Sequence, residues 1–325
     1  MRYRADKPSR VVRPAGGRIG IPRSLCYDEL RPYFDSLLTS HGFAPAVSSK
    51  SSARILQLGL GRCIDEVCLP LKVFFGHVES LLEQGVDTVL VPRLISLARG
   101  RNLCPKFAVL PDLISASFPE LQVVSPYVDL HHARARDLEH HLSRACRPLL
   151  EELDAWDSRS PERLAVAWQA DQHEPDELAW PDGDQVTVAT IGHLYAERDP
   201  YLGLGVAVQL TRLGAGVARF PRRCGDQPVP LEEGMYYEPT VRAARAIARA
   251  IELGVDGIVL LTYFACGPDS YSAETFLYRL KETGGGLPVL RLILDEHTST
   301  EGLLTRLGTF VDVAAHRRRE RGERR

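Results

Sequence analysis

Hydrophobic residues fall into two kinds of grouping along this chain: short unbroken apolar runs, and longer stretches in which they recur every three or four positions. The first kind predicts strands buried on both faces, the second amphipathic helices. Arg18-Ile-Gly-Ile21, closed by Pro22, predicts a short strand. Residues 27–41 then carry Leu30, Tyr33, Phe34, Leu37 and Leu38 at helical spacing, with Gly42 as a stop signal. Residues 44–47 predict a second strand. A helix is expected from the serines at Ser51, which suit an N-cap, through Ile55, Leu56 and Leu58, and another over 73–84. The runs at 88–91 and 121–125 complete the set with two more buried strands.

The same rhythm returns further along. Strands are predicted at 186–191, 216–220, 257–262 and 289–294. Helices are predicted at 202–213, 236–253, 272–283 and 301–315, the first two ended by Gly214 and Gly254. Between the two sets, residues 134–174 are polar and helix-forming, with Trp156 and Trp168 as apolar anchors; residues 172–185 are acidic, with Pro175 and Pro181, as in a linker. Strand alternating with helix is the signature of parallel sheets with crossover helices. The expected fold is α/β: two Rossmann-like domains with mostly parallel sheets facing each other across a cleft, plus linking helices. The expected organisation is a flexible N-terminus at 1–17, a first domain at 18–150, a helical linker at 151–185, a second domain at 186–316 and a basic tail at 317–325.

Composition narrows the functional classes. No apolar run reaches the ~18 residues a membrane span requires, and the charged N-terminus lacks the apolar core of a signal peptide. A net charge of −2 supplies no field for nucleic acid, and the basic ends read as solvated termini. Seven cysteines, odd in number and irregularly spaced, do not form a secreted disulfide framework. A cytoplasmic setting is expected, where thiols stay reduced and available as ligands.

Candidate chemistry gathers beyond strand ends, where open parallel sheets bind their ligands. Thr262-Tyr-Phe-Ala-Cys-Gly-Pro-Asp-Ser270, Asp295-Glu-His-Thr298 and Ile191-Gly-His-Leu-Tyr195 each follow a predicted strand. Asp65-Glu-Val-Cys-Leu-Pro-Leu-Lys72 and Asn102-Leu-Cys-Pro-Lys106 place cysteines near prolines in loop or helix-start geometry. Thiolates are soft ligands for iron–sulfur clusters or zinc, but without a Cys-x-x-Cys pair the spacing equally fits cysteines used as small core residues. Cys26 and Cys146 read as packing residues, as does Cys63, and Cys224 as a polar-loop residue. Glu296 and His297 are candidates for acid–base catalysis; the competing reading has Asp295 or Glu301 capping the last helix, with His297 a satisfied loop residue. Gly203-Leu-Gly205 lies in a helical pattern and is no dinucleotide fingerprint, and no Walker A sequence occurs.

At these residues the sequence resembles the domain attached or related to CoA-substrate-specific enzyme activases, akin to the 2-hydroxyacyl-CoA dehydratase subunits (component D superfamily). The matching segments are Ile19-Gly-Ile-Pro-Arg23, Asp65 to Lys72 with Gly76-His77, Val91-Pro-Arg93, Cys104-Pro-Lys106 and Leu110-Pro-Asp112. They continue with Ile191-Gly, Asp199-Pro200, Cys266-Gly-Pro-Asp-Ser270, Asp295 to Thr298, Thr305-Arg-Leu307 and Phe310-Val-Asp312. The resemblance implies a 4Fe–4S cluster held by Cys68, Cys104 and Cys266, with Arg23, Lys72, Arg93, Lys106, Asp269 and Ser270 in support. It implies low-potential electrons from an ATP-dependent activase acting in trans, passed to an acyl-CoA or similar small substrate as in a dehydratase or reductase subunit, and assembly as a homo- or heterodimer. A non-catalytic electron carrier or maturation partner, and a cluster-free α/β binding protein, are the competing readings.

Overall fold

The computed structural model describes residues 17–132, 138–153, 155, 180–182, 185–221, 224, 227–282 and 286–323. Trp156, Trp168 and most of the expected linker at 151–185 lie outside the described residues, as do nearly all of the expected flexible N-terminus at 1–17 and the last two residues of the basic tail. The described residues of Met1–Lys50, Gln57–Cys63 and Phe74–Glu174 form one compact unit, and those of Ser51–Leu56, Ile64–Val73 and Pro175–Arg325 form the other.

The first unit is built on a parallel sheet. Its strands are β1 (Arg18–Ile21), β2 (Ala44–Val47), β3 (Thr88–Leu90) and β5 (Gln122–Val124), in the order β2-β1-β3-β5. A second parallel pair, β4 (Arg93–Ser96) with β6 (Tyr127–Asp129), prolongs β3 and β5 past Pro92 and Pro126. Those prolines lack the N–H a continuous ladder needs, so each strand breaks there. The backbone bonds Val91 N–H to Val124 O and Arg93 N–H to Pro126 O bridge the break. The sequence pattern does not predict β4 and β6, because the same prolines read as strand ends. The helices here are α1 (Tyr27–Ser40), α2 (Ala53–Leu60) from Gln57 on, α3 (Leu69–Glu83) from Phe74 on, α4 (Pro105–Ser117) and α5 (Leu138–Glu152).

The second unit repeats the design. Strands β7 (Thr187–Ile191), β8 (Gly216–Ala218), β9 (Gly257–Tyr263) and β10 (Val289–Leu294) pair in parallel in the order β10-β9-β7-β8. Counted within its unit, each main sheet therefore runs second, first, third, fourth, as a doubly wound fold does. Every residue of β7 and of β9 is buried, which is why both read as continuous apolar runs. The helices here are α6 (Leu194–Arg198), α7 (Val206–Arg212), α8 (Glu238–Leu253), α9 (Gly267–Glu282) and α10 (Thr300–Glu323). Helix α8 starts with Glu238 and Pro239, a favourable charge and a residue that needs no N–H partner, and ends where Gly254 takes φ +77°. Its buried Ala243, Ala244, Ala246 and Ala250, with Val241 and Ile247, pack into the core with Ile258, Leu260 and Phe276.

Several helix boundaries differ from the sequence expectation: the helix expected over 73–84 starts at Leu69, and the one expected over 301–315 runs on to Glu323. The helix expected from residue 202 starts at Val206, because Gly205 (φ +60°) ends a turn that Gly203 enters at close quarters: a Cβ there would meet the Ala196 carbonyl oxygen at 2.1 Å. The helix expected from residue 272 starts at Gly267, five residues earlier. The last helix is capped by Ser299, whose hydroxyl accepts the Gly302 N–H at 3.1 Å. Asp295 instead closes its own turn, accepting the His297 N–H and the Thr298 hydroxyl.

One buried imidazole gives the first unit a pH signature. His77 on α3 is fully buried, its Nδ1 2.9 Å from the Ser48 hydroxyl, which in turn accepts the Arg23 backbone N–H. Burial first, and the Arg23 charge second, lower its pKa from 6.5 to about 4. Between those values the unfolded chain holds a proton that the folded one refuses, so stability falls as pH drops through this window, by up to roughly 3 kcal/mol. Urea unfolding at pH 7 and at pH 4.5 should show this loss, reduced in His77→Gln; an equal acid loss in both proteins would rule His77 out as its source.

Candidate metal centre

The centre forms at the end of the two middle strands of the second unit. From β7 the chain moves to β8 on one side, while β9 lies on the other, so a crevice opens beyond β7 and β9. Gly192 is the first residue past β7. A Cβ at this position would fall 2.9 Å from both the Leu261 Cβ and its carbonyl oxygen, so only glycine lets the turn approach β9.

A buried ion pair fixes that turn. Arg242 Nη1 and Nη2 reach the two Glu197 oxygens at 2.8 and 3.0 Å, both side chains 4% exposed. Glu197 also accepts the Gly192 N–H at 2.9 Å, while Arg242 donates to the carbonyls of Gly192 (3.0 Å) and Phe220 (2.8 Å). The turn is thereby held from both its N–H and its C=O.

The next residue, His193, precedes α6 and is buried. Its ring stacks on Tyr195, centroids 4.8 Å apart and planes within 7°. Nε2 lies 2.8 Å from Asp269 Oδ1 and 3.8 Å from Cys266 Sγ. Nδ1 is buried and finds no hydrogen-bond partner among the described residues. Asp269, in the first turn of α9, is fixed through its other oxygen, which accepts the Tyr263 N–H at 3.0 Å. The loop from Tyr263 to Cys266 turns through Ala265 at φ +59°, a conformation that an L-residue adopts only under constraint. Ser270 N–H and hydroxyl both return to the Cys266 carbonyl. The ligand atoms of His193, Cys266 and Asp269 all lie within 4.8 Å of one another, a grouping that could hold a metal ion.

Cys68 belongs to the same unit and immediately precedes α3. The phenols of Tyr195 and Tyr263 are pushed well above their ordinary value, by burial first and then by negative charge on Cys266, Cys68 and Asp269. Both phenols therefore stay neutral. Tyr263 donates to the Leu202 carbonyl at 3.1 Å. Four residues after Cys68, the ammonium of Lys72 (4% exposed) pairs with Glu296, just past β10. Burial alone would raise the Glu296 carboxyl; the hydrogen bond from Lys72, the residue's own backbone N–H and the Lys72 and His297 charges together hold it below the ordinary value. His297 itself is 85% exposed, 3.8 Å from Glu296.

The remaining sequence candidates lie in the first unit. Cys104 precedes α4 and makes no cap hydrogen bond to its first turn. Lys106 stands half-buried in that turn. Arg93 clamps α4, with two bonds to Asp112 at 2.7 and 2.8 Å and a third to the Ala108 carbonyl. Arg23 lays its guanidinium over the Tyr27 ring, 5.7 Å from the centroid. Among the other cysteines, Cys146 is fully buried, held by Tyr33 at 3.3 Å and pushed up to about 12 by burial, as a packed thiol should be.

Sequence reasoning placed the segment Ile191–Tyr195 beyond a strand end but assigned no role to His193 or Tyr195. It missed the Glu197–Arg242 pair, which is tertiary and leaves no local signal.

Residues 18–220 match the model of the CoA enzyme activase uncharacterised domain (DUF2229), more than half of the chain, and the protein belongs to that family. The match contains Cys68, Cys104 and His193 and stops short of Cys266 and Asp269. No curated protein matches the chain.

Removing one partner of a buried pair strands the other charge, so Arg242→Met should cost about 3–5 kcal/mol. Denaturant unfolding measures this; a loss below ~1 kcal/mol would show that the turn is held by something else.

Proposed function

We propose that this member of the CoA enzyme activase domain family is an iron–sulfur redox protein, with Cys68, Cys104 and Cys266 as ligands of a 4Fe–4S cluster. In this reading it receives low-potential electrons from an ATP-dependent activase in trans and passes them to an acyl-CoA or similar small substrate. The observation that carries it is the meeting of Cys266 with the buried His193 and Asp269, in the unit that also holds Cys68 at the start of α3. The third thiolate is assigned to Cys104 from the sequence. All three cysteines directly precede a helix of at least thirteen residues, where the unsatisfied N–H groups of the first turn favour negative charge.

The residues fit a cluster or metal ion by their chemistry: soft thiols, a buried imidazole nitrogen without a partner among the described residues, and neutral phenols. A cluster bound there supplies one-electron transfer. The chain's own groups do the rest. Asp269 accepts from His193 Nε2 and so fixes the orientation of the ring. Tyr195 and Tyr263, both buried, stay protonated. Glu296, held ionised by Lys72, serves as an ion-pair partner and not as a proton donor.

A second reading, a single metal ion bound by His193, Cys266 and Asp269, is favoured by the close approach of those three groups. Iron and acid-labile sulfide analysis after anaerobic purification separates the two. We expect about four irons and four sulfides per chain; one zinc without sulfide would establish the second reading instead. Single Cys68→Ala, Cys104→Ala and Cys266→Ala variants should each lose most of the iron, and Cys146→Ala should keep it. If Cys104→Ala keeps its iron, the ligand set is wrong. Acyl-CoA titration of the reduced protein, followed by electron paramagnetic resonance, then distinguishes an enzyme subunit from a carrier, whose signal no thioester changes.

A further inference from the structure

The first unit has its own crevice beyond the middle of its sheet, past the ends of β1 and β3. It holds a pocket with a cavity volume of about 50 Å³, open to solvent. The walls are almost wholly apolar, among them Ile21, Leu30, Phe34, Leu90, Phe107 and Leu110. Two features are foreign to an ordinary core void. Ser24, 7% exposed, lines the pocket with a buried hydroxyl oxygen that has no hydrogen-bond partner among the described residues. Leu25, the next residue, is held at φ +57°, a costly conformation for a γ-branched side chain. The fourteen-residue helix α1 begins here at Tyr27. Arg31 also lines the pocket, its guanidinium 5.7 Å from the Tyr27 ring centroid and paired with Asp35 at 2.9 Å.

We infer that this pocket binds a short aliphatic carboxylate, its chain against the apolar wall and its anionic end at the Ser24 hydroxyl and the start of α1. An orphaned buried hydroxyl is destabilising unless a ligand oxygen satisfies it. The helix start chooses an anion over an amine. The apolar lining chooses a hydrocarbon body over a sugar or a nucleotide. The inference is independent of the cluster assignment, since all lining residues belong to the first unit.

Calorimetric titration of the full-length protein with straight-chain carboxylates from butanoate to octanoate tests this. Affinity should rise about fourfold per methylene until the pocket is full. Hexanol, of equal chain length but uncharged, should bind at least tenfold more weakly than hexanoate; equal binding overturns the anionic assignment. Hexylamine should not bind. Ser24→Ala should weaken hexanoate at least fivefold while leaving the circular dichroism spectrum unchanged, and Leu110→Phe, which narrows the pocket, should weaken octanoate more than butanoate. A hexanoyl thioester that binds where hexanoate fails would overturn the free carboxylate in favour of an acyl carrier, and no binding by any member of the series would overturn the site.

Discussion

The Arg242–Glu197 pair is the interaction on which the second unit's chemistry rests. Taking two charges out of water is costly, and the cost is offset only when the geometry is good and the remaining hydrogen-bonding groups are satisfied. Here the guanidinium meets the carboxylate side-on and spends further N–H groups on the carbonyls at Gly192 and Phe220. The carboxylate takes the Gly192 N–H. A glycine between two strands would otherwise be free to swing; here both its polar groups end on one rigid pair. The direction of His193 follows from that, as does its meeting with Asp269, which in turn holds the loop carrying Cys266 through the Tyr263 N–H.

The two crevices show how little of a site is fixed by topology. The main sheets share one strand order, yet one crevice gathers thiol, imidazole and carboxylate while the other is an apolar pocket with a single stranded hydroxyl. The difference lies in the few residues directly after each strand: Gly-His after β7 and Pro-Arg-Ser-Leu after β1. Membership of the CoA enzyme activase domain family rests on residues 18–220, which hold the whole lining of the first crevice and only part of the second.

The α/β class and most strands were legible in the sequence because parallel strands buried on both faces are built mainly from apolar and β-branched residues, as β7 and β9 are. The start of α7 was not, since Gly203 and Gly205 keep a helical spacing of apolar neighbours while the backbone turns. Strands β4 and β6 were hidden by Pro92 and Pro126, which interrupt the ladder without changing its direction. In the site, Asp269 and Lys72 could be singled out because they stand in unusual local sequence beside cysteines. Arg242 could not: it lies in the middle of an ordinary amphipathic helix, and its carboxylate partner is forty-five residues away.

The burial of β9 has a consequence for motion. Amide hydrogens exchange with solvent only when their bonds open, and those of a central strand open last, with the whole unit. Tyr263 N–H is the last amide of that strand and is held by Asp269. The turn that carries His193 stands at the end of the neighbouring strand, tied to helix α8 by Arg242. Fraying, which loosens loop-borne sites in many proteins, therefore has no route into this one. The centre should be among the slowest-exchanging regions of its unit, rigid on the timescale of global unfolding while the surface around it opens and closes.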